Sequence, residues 1–334
     1  MTDQAFDFNI CYTTNIKFIK NTQSLTQNKI YSSVIEKYVN SDENIKSFYV
    51  IDDYFKDFAE GTNVFHLQAK ESNKNLETVN RILEQIFKSN LRRKDKIIGI
   101  GGGITLDIAS FCASIYNRGC HLTLIPTTII GMLDASIGGK TGVNYNNIKN
   151  QIGSFYPANE IIIDFDFINT LPNKEIENGF AELIKMMIIF ERDFFFKDFD
   201  FIRENLNDYI CKSINYKSII CQEDILDKGK RHVLNLGHTY GHMYESVTDF
   251  NISHGEAVAK GLKKELNYSR EQGLLSNEWY ERITKYVNHF CSEYIFSSVE
   301  LQKIDLFANE ILSRDKKCIS NNNLILVNNE GVIF

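Results

Sequence analysis

Lys96-Ile97-Ile98-Gly99-Ile100-Gly101-Gly102-Gly103-Ile104-Thr105-Leu106-Asp107 sets an apolar, β-branched run against three glycines and then the first turn of a helical pattern. A strand that turns at glycine into a helix gathers free backbone N–H groups at the positive end of the helix dipole, an arrangement that receives phosphate. The spacing is not that of the dinucleotide fingerprint, because G-x-G-x-x-G counted from Gly99 requires a glycine where Ile104 stands. By itself the triple glycine serves equally well as a tight strand-to-helix corner. Outward from it, Phe48-Tyr49-Val50-Ile51 reads as a strand, residues 75–87 as an amphipathic helix, and His121-Leu122-Thr123-Leu124-Ile125 as another strand beyond a further helix. Strands alternating with helices give a parallel sheet with helices on its faces, so an α/β, Rossmann-like unit is expected.

The pattern changes near Pro172, where apolar residues begin to recur at intervals of three and four. Helices are expected over 175–190, 206–221, 237–246, 255–272 and 278–290, and the Asn-Glu-Gly between β-runs in 323–334 predicts a terminal hairpin. Without repeats or a low-complexity linker, the expected division is an α/β domain over 1–168 and a helical, metal- and substrate-binding domain over 169–334.

Composition narrows the function. The chain has 334 residues, 43% of them hydrophobic, enough for a large core. A net charge of −6 argues against a nucleic-acid partner, which demands a basic stripe. Seven cysteines without a C-x-x-C pair point to reduced thiols rather than a disulfide framework. No apolar run approaches the ~20 residues that span a bilayer, and Met1-Thr2-Asp3-Gln4-Ala5-Phe6-Asp7 is not a secretory signal. A soluble, cytoplasmic protein without a membrane partner is the expectation.

Four of the seven histidines lie between 232 and 254. His238 and His242 stand one helical turn apart, so their rings share a face and can converge on one ion or one substrate. A lone histidine pair can equally be packed in a core, but His254 follows, and Glu182 sits within an apolar helix where a carboxylate needs a cationic or hydrogen-bonding partner. Two imidazoles and a carboxylate that leave coordination positions open are the usual form of a catalytic zinc site. Lys185, one turn after Glu182 on that helix, is costly unless paired or facing a ligand. Gly138-Gly139-Lys140-Thr141 ends like a phosphate-binding P-loop, but Asp134 occupies the place of the leading glycine. What remains is a lysine on flexible backbone, suited to an anionic or polyhydroxylated ligand.

Taken in order, Gly101 to Asp107, Tyr116-Asn117-Arg118-Gly119, Pro126-Thr127-Thr128, Asp134 to Asn144, Lys149-Asn150, Thr170-Leu171-Pro172, Ala181-Glu182-Leu183-Ile184-Lys185, Asn235 to His242 and His254-Gly255-Glu256 resemble 3-dehydroquinate synthase and its sugar phosphate cyclase relatives. The resemblance runs collinearly from about residue 50 to 320. It implies an NAD-binding α/β domain, a helical domain, a site in the cleft between them, a divalent metal (zinc or cobalt) and a homodimer. Glu182, His238 and His254 are implied as metal ligands, with His242 handling protons or contacting substrate. Asp52, Glu71 and Lys74 are implied on the adenosine side of NAD, and Gly102, Gly103 and Asp107 along the pyrophosphate. Thr127, Thr128, Asp134, Lys140, Lys149, Phe167 and Thr170 would complete the cofactor site. Arg118, Lys140, Asn150, Lys185, Lys217, Arg231, Asn235, Lys316 and Lys317 would surround the phosphate and carboxylate of the substrate. The implied reaction is that of a phosphorus–oxygen lyase, from 3-deoxy-arabino-heptulosonate 7-phosphate to 3-dehydroquinate and phosphate. Relatives acting on sedoheptulose 7-phosphate or glucose 6-phosphate, and metal-dependent alcohol or glycerol dehydrogenases, are the alternatives. The chain departs from the family pattern at Tyr54, Lys70, Leu106 and Ile148, and Leu106 is expected to tighten the approach to the pyrophosphate.

Overall fold

The computed structural model describes residues 13–19, 45–58, 61–146, 148–315 and 324–333. Asn15–Ile19 (β1), Ser47–Asp52 (β2), Val64–Leu67 (β3), Lys96–Gly101 (β4), His121–Pro126 (β5) and Glu160–Asp164 (β8) pair in one parallel sheet, ordered β1-β8-β5-β4-β2-β3. Lys140–Tyr145 (β6) and Ile148–Phe155 (β7) form a separate antiparallel hairpin. The inner strands are continuously apolar because helices cover both faces of a parallel sheet: Ile97, Ile100, Leu122 and Ile125 are fully buried. Leu76–Lys88 (α1) starts at Asn75, whose side chain accepts from the Thr78 N–H, and buries Val79, Ile82 and Ile86 at helical spacing.

The chain leaves β2 for β3 on one side and returns to β4 on the other, so strand order reverses between β2 and β4. In open α/β sheets ligands bind in the crevice at such a point, outside the carboxyl ends of the strands. Asp52 ends β2 and Gly101 ends β4 there. Gly101 takes φ +158°, and a Cβ on it would meet Thr105 Cβ at 2.7 Å, so the corner requires glycine. Gly99 is needed for packing instead: a Cβ would lie 2.8 Å from Ala109 Cβ of Gly103–Ile115 (α2), the helix that the corner starts.

After β8 the chain is helical: Asn173–Phe190 (α3), Phe199–Glu204 (α4), Leu206–Glu223 (α5), His238–Val247 (α6), His254–Glu271 (α7), Asn277–Phe290 (α8) and Ser298–Asp315 (α9), closed by the hairpin Leu326–Val327 (β9) and Val332–Ile333 (β10). The five helices expected from periodicity all form within two residues of their expected ends. Three of them meet through glycines. A Cβ on Gly261 of α7 would stand 1.9 Å from the Gly237 carbonyl oxygen that begins α6, and one on Gly255 would stand 2.3 Å from Asn178 Cα of α3. Backbone therefore lies directly against backbone where α3, α6 and α7 converge.

The structure corrects the sequence reading in the elements it adds. β1, β3, the β6–β7 hairpin, β8, α4 and α9 were not expected. The flexible lysine loop at 138–141 is instead the start of β6, entered through Gly138 and Gly139 at φ +92° and +67°. Among the described residues no helix is long and apolar enough to cross a membrane, and Cys112, Cys120, Cys211, Cys221 and Cys291 are free thiols.

Candidate functional site

Glu182 lies fully buried on α3, and His238 and His254 are the first residues of α6 and α7. His238 Nε2 stands 3.3 Å and His254 Nε2 3.2 Å from the same Glu182 Oε1. One donor atom from each residue lies within 4.8 Å of the other two. The second ring nitrogens are also held: His238 Nδ1 is 3.2 Å from the Leu236 carbonyl oxygen, and His254 Nδ1 is 3.1 Å from Glu245 Oε1. A carbonyl and a carboxylate only accept, so each Nδ1 carries a proton, and each Nε2 of a neutral ring turns a lone pair toward a carboxylate. A lone pair facing an anionic oxygen needs a cation between them, a proton in the bare site, and a divalent ion can meet that need with open positions left over. The donor set fits a metal. In the bare site burial pushes His254 down, but the Glu182 and Glu245 carboxylates outweigh burial and raise it to about 10, so a proton stands on Nε2 that a bound ion would displace. Burial opposes ionisation of Glu182, yet Lys185 and His238 hold its carboxyl well below the usual range.

His242 follows one turn along α6, its ring centre 5.4 Å from that of His238. The shared face read from sequence is real, but the third donor of the cluster comes from α7 rather than from this ring. Burial first, then the neighbouring His238, push His242 down to about 4, so it is neutral near pH 7 and free to accept a proton.

Local structure explains how the donors are placed. His254 opens α7 behind a capping box in which Ser253 Oγ accepts from the Glu256 N–H while Glu256 Oε2 accepts from the Ser253 N–H. The glutamate of His254-Gly255-Glu256 is therefore a helix cap. His238 follows Gly237, which takes φ +80° and supplies no side-chain cap. The backbone N–H groups of Gly237, Thr239 and Tyr240 donate instead to Glu265 of α7, the first at 2.8 Å. Burial raises the Glu265 carboxyl to about 8 against the pull of those donors. Between pH 4.5 and 8 the folded state thus holds a proton that the unfolded chain has lost, and stability falls as pH rises through that window. Glu265→Gln, which stays neutral, is expected to lose less melting temperature between pH 5 and 8 than the parent in metal-free protein. An equal loss would place the source elsewhere.

One cavity of about 940 Å³ joins the donor cluster to the carboxyl ends of β2, β4 and β5. Lys185 is fully buried with its Nζ 2.5 Å from Glu182 Oε2. Lys217, from α5, donates to the Asp134 carbonyl at 2.6 Å and also pairs with the Asp134 carboxylate. Burial opposes that carboxylate, but Lys217 and Lys185 bring it down to about 2. Arg231 Nη1 donates to the Gly138 and Ile225 carbonyls at 2.8 and 3.0 Å, which fixes its guanidinium at the cavity wall, and Lys140 pairs with Asp227. On the sheet side, Lys74 Nζ lies 2.5 Å from Asp107 and 2.6 Å from Asn150 Oδ1. Glu71 Oε1 accepts from Asn144 at 2.7 Å. Asp52, Gly102, Gly103, Thr127, Thr128 and Thr170 border the same space, as does Asn235 on the helical side.

Three expectations place residues where the cavity does not reach. Arg118 stands at the far end of α2, at φ +61°, and does not line it. Phe167 is buried behind it and packs against Phe55, a lining residue, with the rings edge-on at 5.9 Å. Leu106 is fully buried in the core and does not narrow the pyrophosphate approach, whereas Tyr54 and Lys70 do line the cavity. Ile148 is exposed on the hairpin. Lys316 and Lys317 lie outside the described residues.

The sequence reading missed Glu245 and Glu265. Glu245 falls seven residues after His238 and three after His242, so helical periodicity placed it on the histidine face. Glu265 carried no such signal, because only the crossing of α6 and α7 brings it to Gly237.

Residues 64–178 match the family described as 3-dehydroquinate synthase N-terminal, and residues 179–318 match 3-dehydroquinate synthase C-terminal. A 3-dehydroquinate synthase of Campylobacter concisus is 42% identical over 223 residues, which cover 66% of this chain and 65% of that protein. One of Saccharolobus solfataricus is 40% identical over 260 residues, 74% of this chain and 72% of that protein. Among solved structures, a 2-epi-5-epi-valiolone synthase of Streptomyces hygroscopicus with NAD+ and Zn2+ bound superposes with a TM-score of 0.76 at 20% identity, covering 99% of this chain and 94% of that one. At that identity the likeness carries the fold alone.

Proposed function

The chain belongs to the 3-dehydroquinate synthase family, and from that membership we propose that it converts 3-deoxy-arabino-heptulosonate 7-phosphate to 3-dehydroquinate and phosphate, a phosphorus–oxygen lyase reaction. The observation that carries the reading is the donor cluster Glu182, His238 and His254, whose two histidines line the same cavity as the switch point of the parallel sheet. Glu182, His238 and His254 would hold a zinc or cobalt ion. Asp52, Glu71, Lys74, Gly102, Gly103, Asp107, Thr127, Thr128, Asp134, Lys149 and Thr170 would hold NAD. A divalent ion there would acidify a substrate hydroxyl and NAD would accept and return a hydride, so that oxidation, loss of phosphate, reduction and ring closure follow in one site.

The chain's own groups supply the rest. Lys185, Lys217 and Arg231 on the helical side, with Lys140 from β6, bring cationic groups to the cavity, matched to a substrate with both a carboxylate and a phosphate. A neutral His242 can take a proton on a ring nitrogen and return it, and Lys185 can donate one from Nζ, each worth on the order of 10²–10⁴ in rate. Asn150 is tied to Lys74 at 2.6 Å, which links the substrate side of the cavity to Asp107. We propose a division into two domains at 168/169, supported by the end of the sheet at Asp164 and the start of α3 at Asn173. A homodimer and a cytoplasmic setting complete the reading, supported by exposed Phe87 and Ile115 and by the free thiols.

The test supplies purified protein, NAD and a divalent metal with each candidate sugar phosphate, and measures phosphate release, net NADH and the ring formed. Phosphate released from the carboxylated heptulose with no net NADH is the expected result. Release from sedoheptulose 7-phosphate alone, or accumulation of NADH, would overturn it.

A further inference from the structure

Glu245 is buried on α6, and two N–H donors from opposite sides of the cleft, the His254 ring and the Lys149 ammonium, meet on one of its oxygens. Glu245 Oε1 lies 3.1 Å from His254 Nδ1 and 3.0 Å from Lys149 Nζ, while its Oε2 is buried without a hydrogen-bond partner. Lys149 reaches it from β7, a strand of the sheet-side hairpin. There it also stands 3.9 Å from Glu71 Oε1 and 4.8 Å from the centre of the Phe250 ring, with a quarter of its side chain exposed in the cavity. We propose that Glu245 couples the two ligand sites: a nucleotide phosphate that draws Lys149 away leaves the carboxylate to His254 alone, so that NAD and the divalent ion bind with positive cooperativity. The proposal rests on the reading of the site given above and adds to it a positioning residue with a direction of effect.

The argument is one of shared charge. A histidine that donates its distal N–H to a carboxylate is a more basic ligand at the other nitrogen, and removing such a partner typically weakens metal binding about 10–100-fold. Here the ammonium of Lys149 competes for the same oxygen and withdraws part of that support. Phosphate offers the ammonium two or three charged oxygens in place of one shared oxygen, so the ion pair with Glu245 is the one that yields. His254 then faces an undivided anion on one side and the ion on the other. Linkage makes the effect reciprocal, so zinc tightens NAD by the same factor.

The experiment titrates zinc against a chromogenic chelator, with and without saturating NAD, on the parent protein, Glu245→Gln, Lys149→Met and the double variant, each first shown to melt cooperatively. In the parent, NAD is expected to tighten zinc about fivefold or more. Glu245→Gln is expected to weaken zinc about 10-fold and to bring the NAD factor close to one. Lys149→Met is expected to bind zinc more tightly than the parent without NAD, also with a factor close to one, and the double variant to match Glu245→Gln. An NAD factor preserved in Glu245→Gln, or zinc and NAD binding independently in the parent, overturns the coupling while leaving the proposed function standing. A parent protein that binds no zinc overturns both.

Discussion

His238→Gln is expected to lower phosphate release by about three orders of magnitude, with zinc affinity falling in the same variant. Three decades correspond to ~4 kcal/mol at 1.36 kcal/mol per decade, the scale of what a Lewis acid contributes to a charged transition state. The amide of the variant keeps an oxygen donor but loses the imidazole lone pair that faces Glu182 Oε1 at 3.3 Å. The choice of position matters as much as the size of the effect. Glu182→Gln would leave the Lys185 ammonium buried without its carboxylate, a defect of about 3–5 kcal/mol that mixes folding with chemistry. His238→Gln leaves that pair whole, and only 12% of the His238 side chain is exposed, so the change stays local. Parental turnover in a variant with weakened zinc would remove His238 from the reaction.

Lys185→Met is expected to keep the metal and lose about 10²–10⁴ in turnover. Burial works against the Lys185 ammonium, yet Glu182 and Asp134 raise its pKa above the ordinary lysine value, so it remains charged at the cavity wall. One of its three protons goes to Glu182, and the others are available to substrate oxygens. Methionine fills the same volume without charge, which leaves Glu182 dependent on the metal for its counter-charge. The variant should therefore melt lower than the parent when stripped of metal and recover on adding zinc, by ~2.7 kcal/mol at a hundredfold excess over Kd. Unchanged turnover with zinc bound would discard Lys185 as a proton donor, and recovery of stability without recovery of turnover is the expected signature.

What the sequence disclosed, and what it withheld, follows from the range of the signals. The corner at Gly101 was legible because strand, glycine and helix are consecutive, and the helices after Pro172 because burial repeats every turn. The metal donors were only partly legible. Spacing paired His238 with His242, since neighbours on one helix are the pairs that periodicity can see; His254 stood nearby in the sequence, but family resemblance was needed to make it a ligand in place of His242. Glu182 gave itself away as a carboxylate in an apolar run. The β6–β7 hairpin was hidden because its turn-rich, polar strand sequence reads as loop, and its pairing of Lys140 with Phe155 is a tertiary fact. Arg118 was counted with the substrate cations on resemblance, but the corner after α2 carries it away from the cavity of its own chain. Glu265 and Asp227 act only across contacts between elements, so no local pattern announces them.

The glycine contacts among α3, α6 and α7 have a bearing on which ion is held. Glu182, His238 and His254 sit on three backbones pressed together without intervening side chains, so the triangle of donors cannot readily widen or shrink to suit its guest. Such a rigid frame accepts first-row divalent cations of nearly equal radius without remodelling. Under the proposed function, selection between zinc and cobalt would then pass from the polypeptide to the relative abundance of the two in its surroundings.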